Sequence, residues 1–199
     1  MELSTLDNSV REYLADVAAP APSATGGNVC AVTVAAAAGL VGMTARLSRS
    51  LDDAEEIAAN ADKLRERAAM LAGADSVSYK AVCTVQRLAI DSPACSQAVR
   101  DALVAAAQPP LRIARLAAEV ASMAALLSAH GNPVSRGDAI TAATLAASAA
   151  RSASVLVRIN LTSAGLDAGA AGEGEAAAES AERSASLAQA AAGDGHSVS

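Results

Sequence analysis

The run Val29–Ala45, VCAVTVAAAAGLVGMTA, contains no charged side chain and no proline, and this constrains the fold more than any other stretch of the chain. Alanine is the best helix former, and a helix with no polar face has to be buried on all sides. The run is shorter than the ~20 strongly apolar residues a membrane span needs, and Gly39 and Gly42 weaken it further. It is therefore read as the central helix of a bundle, from Asn28 to about Ser48. The segment before it, PAPSATGGN, supplies extended backbone at Pro20 and Pro22, conformational freedom at Gly26 and Gly27, and an N-cap at Asn28. Backbone N–H groups at such a helix start can hold an anion or the polar edge of a ligand; an ordinary loop and cap has the same sequence.

The rest of the chain agrees with an all-α bundle of about six helices. Two tyrosines, no Phe and no Trp leave too little aromatic content for a sheet-rich fold. Ser4 and Asp7 resemble a capping box, which predicts a first helix from Ser4 to Ala18 with Leu6, Val10, Tyr13, Leu14 and Val17 on its apolar side. A long helix opens at Asp52–Asp53, and on it Ile57, Ala61, Leu64, Ala68, Leu71, Asp75, Ser78, Val82 and Val85 form one alternating stripe. Asp75 thus occupies a position where an apolar residue belongs, which is costly unless the carboxylate is paired or used. Ser92–Pro93 should start a fourth helix, Pro109–Pro110 should break the path, and a fifth helix should run from Pro110 to about Ala129. The SRGD pattern at 135–138 should cap a sixth helix that ends near Thr162, with Gly165 as its stop. Residues 1–166 then form one helical domain. The remainder, 167–199, is low in complexity and is expected to be disordered or partly helical, a C-terminal tail too poor in large apolar side chains to order itself.

Charge and cysteine usage narrow the function. A net charge of −6 argues against nucleic-acid and anionic-membrane partners. Cys30, Cys83 and Cys95 show no CxxC spacing and read as reduced thiols of a cytoplasmic protein, and the N-terminus has no signal-peptide pattern. Alanine buries little area per residue, so pairing with a second copy is expected. No zinc spacing, Ser-His-Asp set or phosphate-binding loop is present, and the chemistry-bearing candidates are carboxylates, amides and the glycine pair. Asp75 and Tyr79 lie one turn apart on one helical face, where Asp75 either serves a site or bonds a neighbouring helix terminus. Asp138 either serves a site or completes a cap, Asn132 is a substrate contact or a helix stop, and Asn160 is a contact or a bridging amide.

In their order and spacing these features resemble the cyclodeaminase/cyclohydrolase family, that is, the C-terminal domain of formimidoyltransferase-cyclodeaminases and the stand-alone methenyltetrahydrofolate cyclohydrolases. The resemblance covers roughly residues 3–166. It rests on the Pro-rich turn and Gly loop entering a small-residue helix, the Asp75/Tyr79 pair, Arg100 followed by Pro110–Leu111, the Gly131–Asn132 and Asp138 segment, and the closing VLVRINL run. The chain departs from the family pattern in having ATGGN where PGGGS is usual, no Lys after Pro93, and Gly137 in place of a Ser.

The resemblance implies an all-α homodimer acting at the N5/N10 bridge of a tetrahydrofolate derivative, with no permanently bound cofactor and no metal. The reaction would be hydrolysis of 5,10-methenyltetrahydrofolate or cyclisation of 5-formiminotetrahydrofolate with loss of ammonia. By the same resemblance Asp138 would serve the reacting region, Asp75 with Tyr79 ring binding or proton transfer, Asn132 and Asn160 substrate orientation, and Gly26, Gly27 and Asn28 the backbone approach. Arg46, Arg49, Arg112 or Arg158 would meet the glutamate tail, on charge alone. A non-catalytic folate-binding relative and a helical dimeric interaction protein working through its tail remain the alternatives.

Overall fold

The computed structural model describes residues 8–20, 24–88 and 93–193, and among them every regular element is helical. The elements are α1 (Val10–Val17), α2 (Gly26–Leu47), α3 (Ala54–Leu88), α4 (Pro93–Ala106), α5 (Gln108–His130), α6 (Arg136–Ser163) and α7 (Gly172–Gly193), with short 3-10 turns at Pro133–Ser135 and Ala168–Ala171. α2, α3, α5, α6 and α7 alternate in direction and share one core of small side chains, in which Ala31, Ala38, Ala61, Ala117, Ala143 and Ala150 are fully buried. Side chains this short let helix axes come close, so the bundle gains packing contacts although each residue buries little area.

Local sequence explains most of the boundaries. α1 starts behind Ser9, whose side chain and that of Glu12 form a reciprocal capping box; the Ser4–Asp7 pair and Leu6 lie outside the described residues. α2 starts at Gly26 with Thr25 as N-cap, so Asn28 is inside the helix, where its backbone N–H bonds the Thr25 hydroxyl. Pro109 and Pro110 fit the first turn of α5, where missing N–H groups cost nothing. Ser135 precedes α6 but makes no side-chain cap, and its hydroxyl bonds Asn132 O instead. Gly165, at φ +78°, ends α6 as expected, with Leu166 N–H reaching back to Leu161 O at 3.0 Å. The Ser92 cap lies outside the described residues.

Two expectations change. The segment past 166, expected to be disordered or partly helical and unable to order itself, is helical over Gly172–Gly193 and is part of the core: α7 packs against α5 and α6 and buries Ala178, Ala181, Ala185 and Ala188 there. Alanines at helical spacing suffice because the faces they meet are also alanine, and Ser128 Oγ ties α7 down by donating to Ala188 O at 2.8 Å. Nor is α2 buried all round. It is covered where it meets α3, α5 and α6, while Val29, Val32, Ala36, Leu40, Met43 and Leu47 form an uncharged, partly or fully exposed outward stripe. α2 and the run Pro133–Ser163 are long and apolar enough to cross a membrane, but 56% and 50% of their most apolar windows are buried inside this fold, as befits core helices.

Candidate active site

The start of α2 meets α3 at Asp75. Asp75 is 8% exposed, on the stripe that the α3 periodicity predicts to face a partner helix. Its carboxylate accepts from the Thr25 hydroxyl and from the Asn28 backbone N–H, so it caps α2 from a neighbouring helix. Burial pushes the Asp75 pKa above the ordinary carboxylate value, against the pull of those two donors. Gly27 makes the approach possible: a Cβ there would lie 2.2 Å from Asp75 Oδ1 and 2.4 Å from Cγ. The glycine is required by proximity rather than by backbone freedom, since it has ordinary helical geometry.

Behind the carboxylate a polar network fixes the helix pair. Asn28 is fully buried, and its side-chain amide donates to Ala72 O (3.0 Å) and Ser76 Oγ (3.2 Å) on α3. Its Oδ1 accepts from Tyr13 OH at 2.8 Å, which fastens α1 to the same end of the bundle. Burial raises the Tyr13 pKa, and the nearby Cys30 adds to the shift. Cys30 is itself pushed up, first by burial and then by the Asp75 charge, while a bond with Ser152 of α6 opposes the change.

In front of the carboxylate a cleft of about 370 Å³ opens between α3, α4, α6 and the α2 N-terminus. Gly26, Gly27, Thr25 and Asp75 form one wall and Tyr79 and Cys83 another, with Leu103, Leu156, Ile159 and Asn160 among the residues opposite and Gln86 and Ser163 adding polar groups. A mostly apolar cleft of this size with a few convergent polar groups suits a small organic ligand. Tyr79 is half exposed, and its hydroxyl bond with Cys83, followed by the thiol's charge, raises its pKa. Asn160 Nδ2 donates to Ala106 O at 3.0 Å, which satisfies a carbonyl at the end of α4 and holds the amide at the cleft wall.

Of the residues singled out from sequence, Asp75, Tyr79, Gly26, Gly27 and Asn160 therefore meet in one place, with Asn28 directly behind them. Asp138, Asn132 and Arg158 do not join them within one chain. Asn132 clasps the other end of α2: its backbone N–H bonds Ser48 Oγ at 2.8 Å and its Nδ2 bonds Leu47 O at 3.0 Å. Gly131 fits beside it because a Cβ would lie 2.5 Å from Leu127 O. Asp138 is exposed in the first turn of α6 at that same far end, roughly 25 Å from Asp75 at ~1.5 Å rise per residue. Arg158 faces α7, in a shallow depression with Glu175 and Glu179. Arg46 pairs with Asp62, and among the described residues no arginine or lysine lines the cleft. Among them, too, no group of three or more His, Cys, Asp or Glu is placed to hold a metal ion. Thr25 and Cys83 line the cleft although the sequence did not mark them as contacts; the Thr-Gly-Gly-Asn spacing is the only local signal for Thr25.

Residues 9–180 match the family described as formiminotransferase-cyclodeaminase. The chain belongs to that family. The match extends well into α7, in keeping with the place of that helix in the core. The fold is similar to that of formiminotetrahydrofolate cyclodeaminase from Thermotoga maritima, with a TM-score of 0.81, 23% identity, and coverage of 92% of this chain and 95% of the other. No curated protein matches the chain.

Proposed function

We propose that the protein is a cytoplasmic, homodimeric folate enzyme acting at the N5/N10 one-carbon bridge. It would hydrolyse 5,10-methenyltetrahydrofolate or cyclise 5-formiminotetrahydrofolate with release of ammonia. Family membership supports the substrate class, and one structural observation carries the chemistry: a buried carboxyl of raised pKa, Asp75, held against the glycine start of α2 and opening on a cleft with Tyr79 and Asn160. Both reactions pass protons at a cationic amidine carbon and need no oxidant. A carboxyl whose pKa is shifted toward neutrality is suited to move a proton, and its ionised form favours a cation beside it. A carboxylate also matches the adjacent N–H and NH₂ of a pterin edge, so Asp75 is assigned to ring binding or proton transfer. Tyr79 supplies a hydroxyl one helical turn away, and Asn160 an amide on the opposite wall.

The alternative of a helical adaptor working through its low-complexity tail has less support, because residues 172–193 of that segment pack in the core as α7. The purified protein should be offered both substrates, following loss of methenyl absorbance and release of ammonia. Turnover of one of them that disappears in Asp75→Asn, with the thermal melt retained, is the expected result. Wild-type protein that turns over neither substrate refutes the enzyme reading.

A further inference from the structure

α1 is fastened to the bundle by a polar bond more than by apolar packing. None of its residues is buried, and Val10 and Leu14 face solvent. What crosses to α2 is the Tyr13 hydroxyl, which donates to Asn28 Oδ1 at 2.8 Å. Burial raises the Tyr13 pKa above its ordinary value, so the phenol keeps its proton and remains a donor at neutral pH.

The acceptor of that bond also holds the turn of α3 that carries Asp75. Asn28 Nδ2 donates to Ala72 O at 3.0 Å and to Ser76 Oγ at 3.2 Å, the two ends of the turn. Ser76 Oγ spends its own proton on Ala72 O, at 3.2 Å, so both partners of the amide nitrogen accept. This fixes which way the buried amide faces: nitrogen toward α3, oxygen toward Tyr13. The amide turned over would set its oxygen against the Ala72 carbonyl, acceptor against acceptor, and release the turn. The backbone N–H of Asn28 meanwhile donates to the Asp75 carboxylate. Asn28 therefore grips Asp75 twice, once directly and once through the turn on which Asp75 stands.

We propose that Tyr13 is a positioning residue for the cleft: its hydroxyl holds the Asn28 amide in the one orientation that keeps Asp75 against the start of α2. Tyr13 does not line the cleft, so it acts on Asp75 through Asn28. The proposal rests on the folate reading for the reaction that Asp75 serves, while the hydrogen-bond chain stands apart from it. Among the described residues, the other ionisable groups near Asp75 are Cys30 on α2 and Tyr79 and Cys83 on α3. α4 and α6 bring Leu103, Ala106, Leu156, Ile159, Asn160 and Ser163 to the cleft, none of them charged.

Tyr13→Phe keeps the ring and removes the hydroxyl. A bond that only fastens α1 would cost melting temperature and nothing else, whereas a positioning bond moves two further readouts. The first is the titration of the Asp75 carboxyl, followed by NMR on protein labelled with carboxyl-13C aspartate and assigned by the signal lost in Asp75→Asn. Loosening Asn28 admits water to a carboxyl whose pKa is raised first of all by burial, so the midpoint should fall toward the ordinary 3.8. A midpoint that does not fall overturns the positioning role. The second is turnover of whichever folate substrate the wild type accepts: kcat should drop about tenfold with KM held within about twofold, and an unchanged kcat also overturns the role. Asn28→Ser, the residue usual in the family pattern, is too short to join α1 to α3, so in that background Tyr13→Phe should add nothing to either readout. A further shift there shows that the effect does not pass through Asn28 and overturns the route. If wild type turns over neither substrate, the folate reading fails, and the carboxyl titration by itself still decides the role of Tyr13.

Discussion

Adding one methyl group at Gly27 should separate proximity from helix propensity as the reason for the glycine pair. The new Cβ would sit 2.2–2.5 Å from the Asp75 carboxylate atoms, far inside van der Waals contact, so the carboxylate must leave. Leaving takes the acceptor away from the Thr25 hydroxyl and the Asn28 N–H, and a buried donor left without one costs about 1–3 kcal/mol. The carboxylate itself gains from leaving, because burial weighs on its charged form more than the two donors favour it, and replacing glycine with alanine in a helix returns about 1 kcal/mol more. The net loss should be about 1–3 kcal/mol, a fall in melting temperature of about 3–10 °C for a chain of this size.

Gly26 is the internal control. A Cβ there meets only Leu156 Cδ1 at 3.8 Å, an ordinary contact, so Gly26→Ala should melt at or slightly above wild type. Thermal unfolding by circular dichroism measures both variants, and turnover measures whether displacing Asp75 disables the cleft. A double-mutant cycle settles the cause: in an Asp75→Ala background, Gly27→Ala should cost almost nothing. An equal cost in both backgrounds would refute the argument from close approach.

Three other outcomes follow from the packing. Thr44 Oγ1 is buried with no hydrogen-bond partner among the described residues, so Thr44→Val should raise stability by about 1–2 kcal/mol in denaturant unfolding; a loss would mean that the hydroxyl is satisfied. The folded pKa of Asp75 is raised above the ordinary 3.8, so the native state holds its proton more tightly than the unfolded chain, and the stability this contributes is lost as pH rises through the folded value. Asp75→Asn should therefore gain in melting temperature relative to wild type as pH climbs above 3.8 and then level off, and a steadily shrinking difference would show that the donor bonds outweigh burial. Ala181 is fully buried on α7, so Ala181→Leu should cost about 1–3 kcal/mol by overpacking; a variant as stable as wild type would show that α7 is not held in the core.

Much of the candidate site is legible in the sequence because it is local. The periodicity of α3 is enough to put Asp75 on a buried seam, and the glycine pair marks a place where something approaches α2 closely. The same local reading misassigns Asn28, since Thr25 and Asn28 are both good caps and only the position of Asp75 favours Thr25. Gly131–Asn132 reads as a ligand segment, yet it closes over the end of α2, a contact between residues 84 and 85 positions apart that no local pattern encodes.

By itself the sequence determined that the chain is helical, roughly where its helices begin and end, and that α2 has to be covered by other apolar surfaces. These depend on propensity, capping and periodicity, which act within a few residues. Only the tertiary structure decided that α7 completes the core and that α2 keeps one face outward. It also decided that Asp75 and Asp138 stand at opposite ends of the bundle. The reason is geometric: a helix carries its residues ~1.5 Å apart along a straight axis, so the ends that meet depend on the direction in which helices pack. That direction is set by the matching of whole faces, which no short stretch of sequence contains.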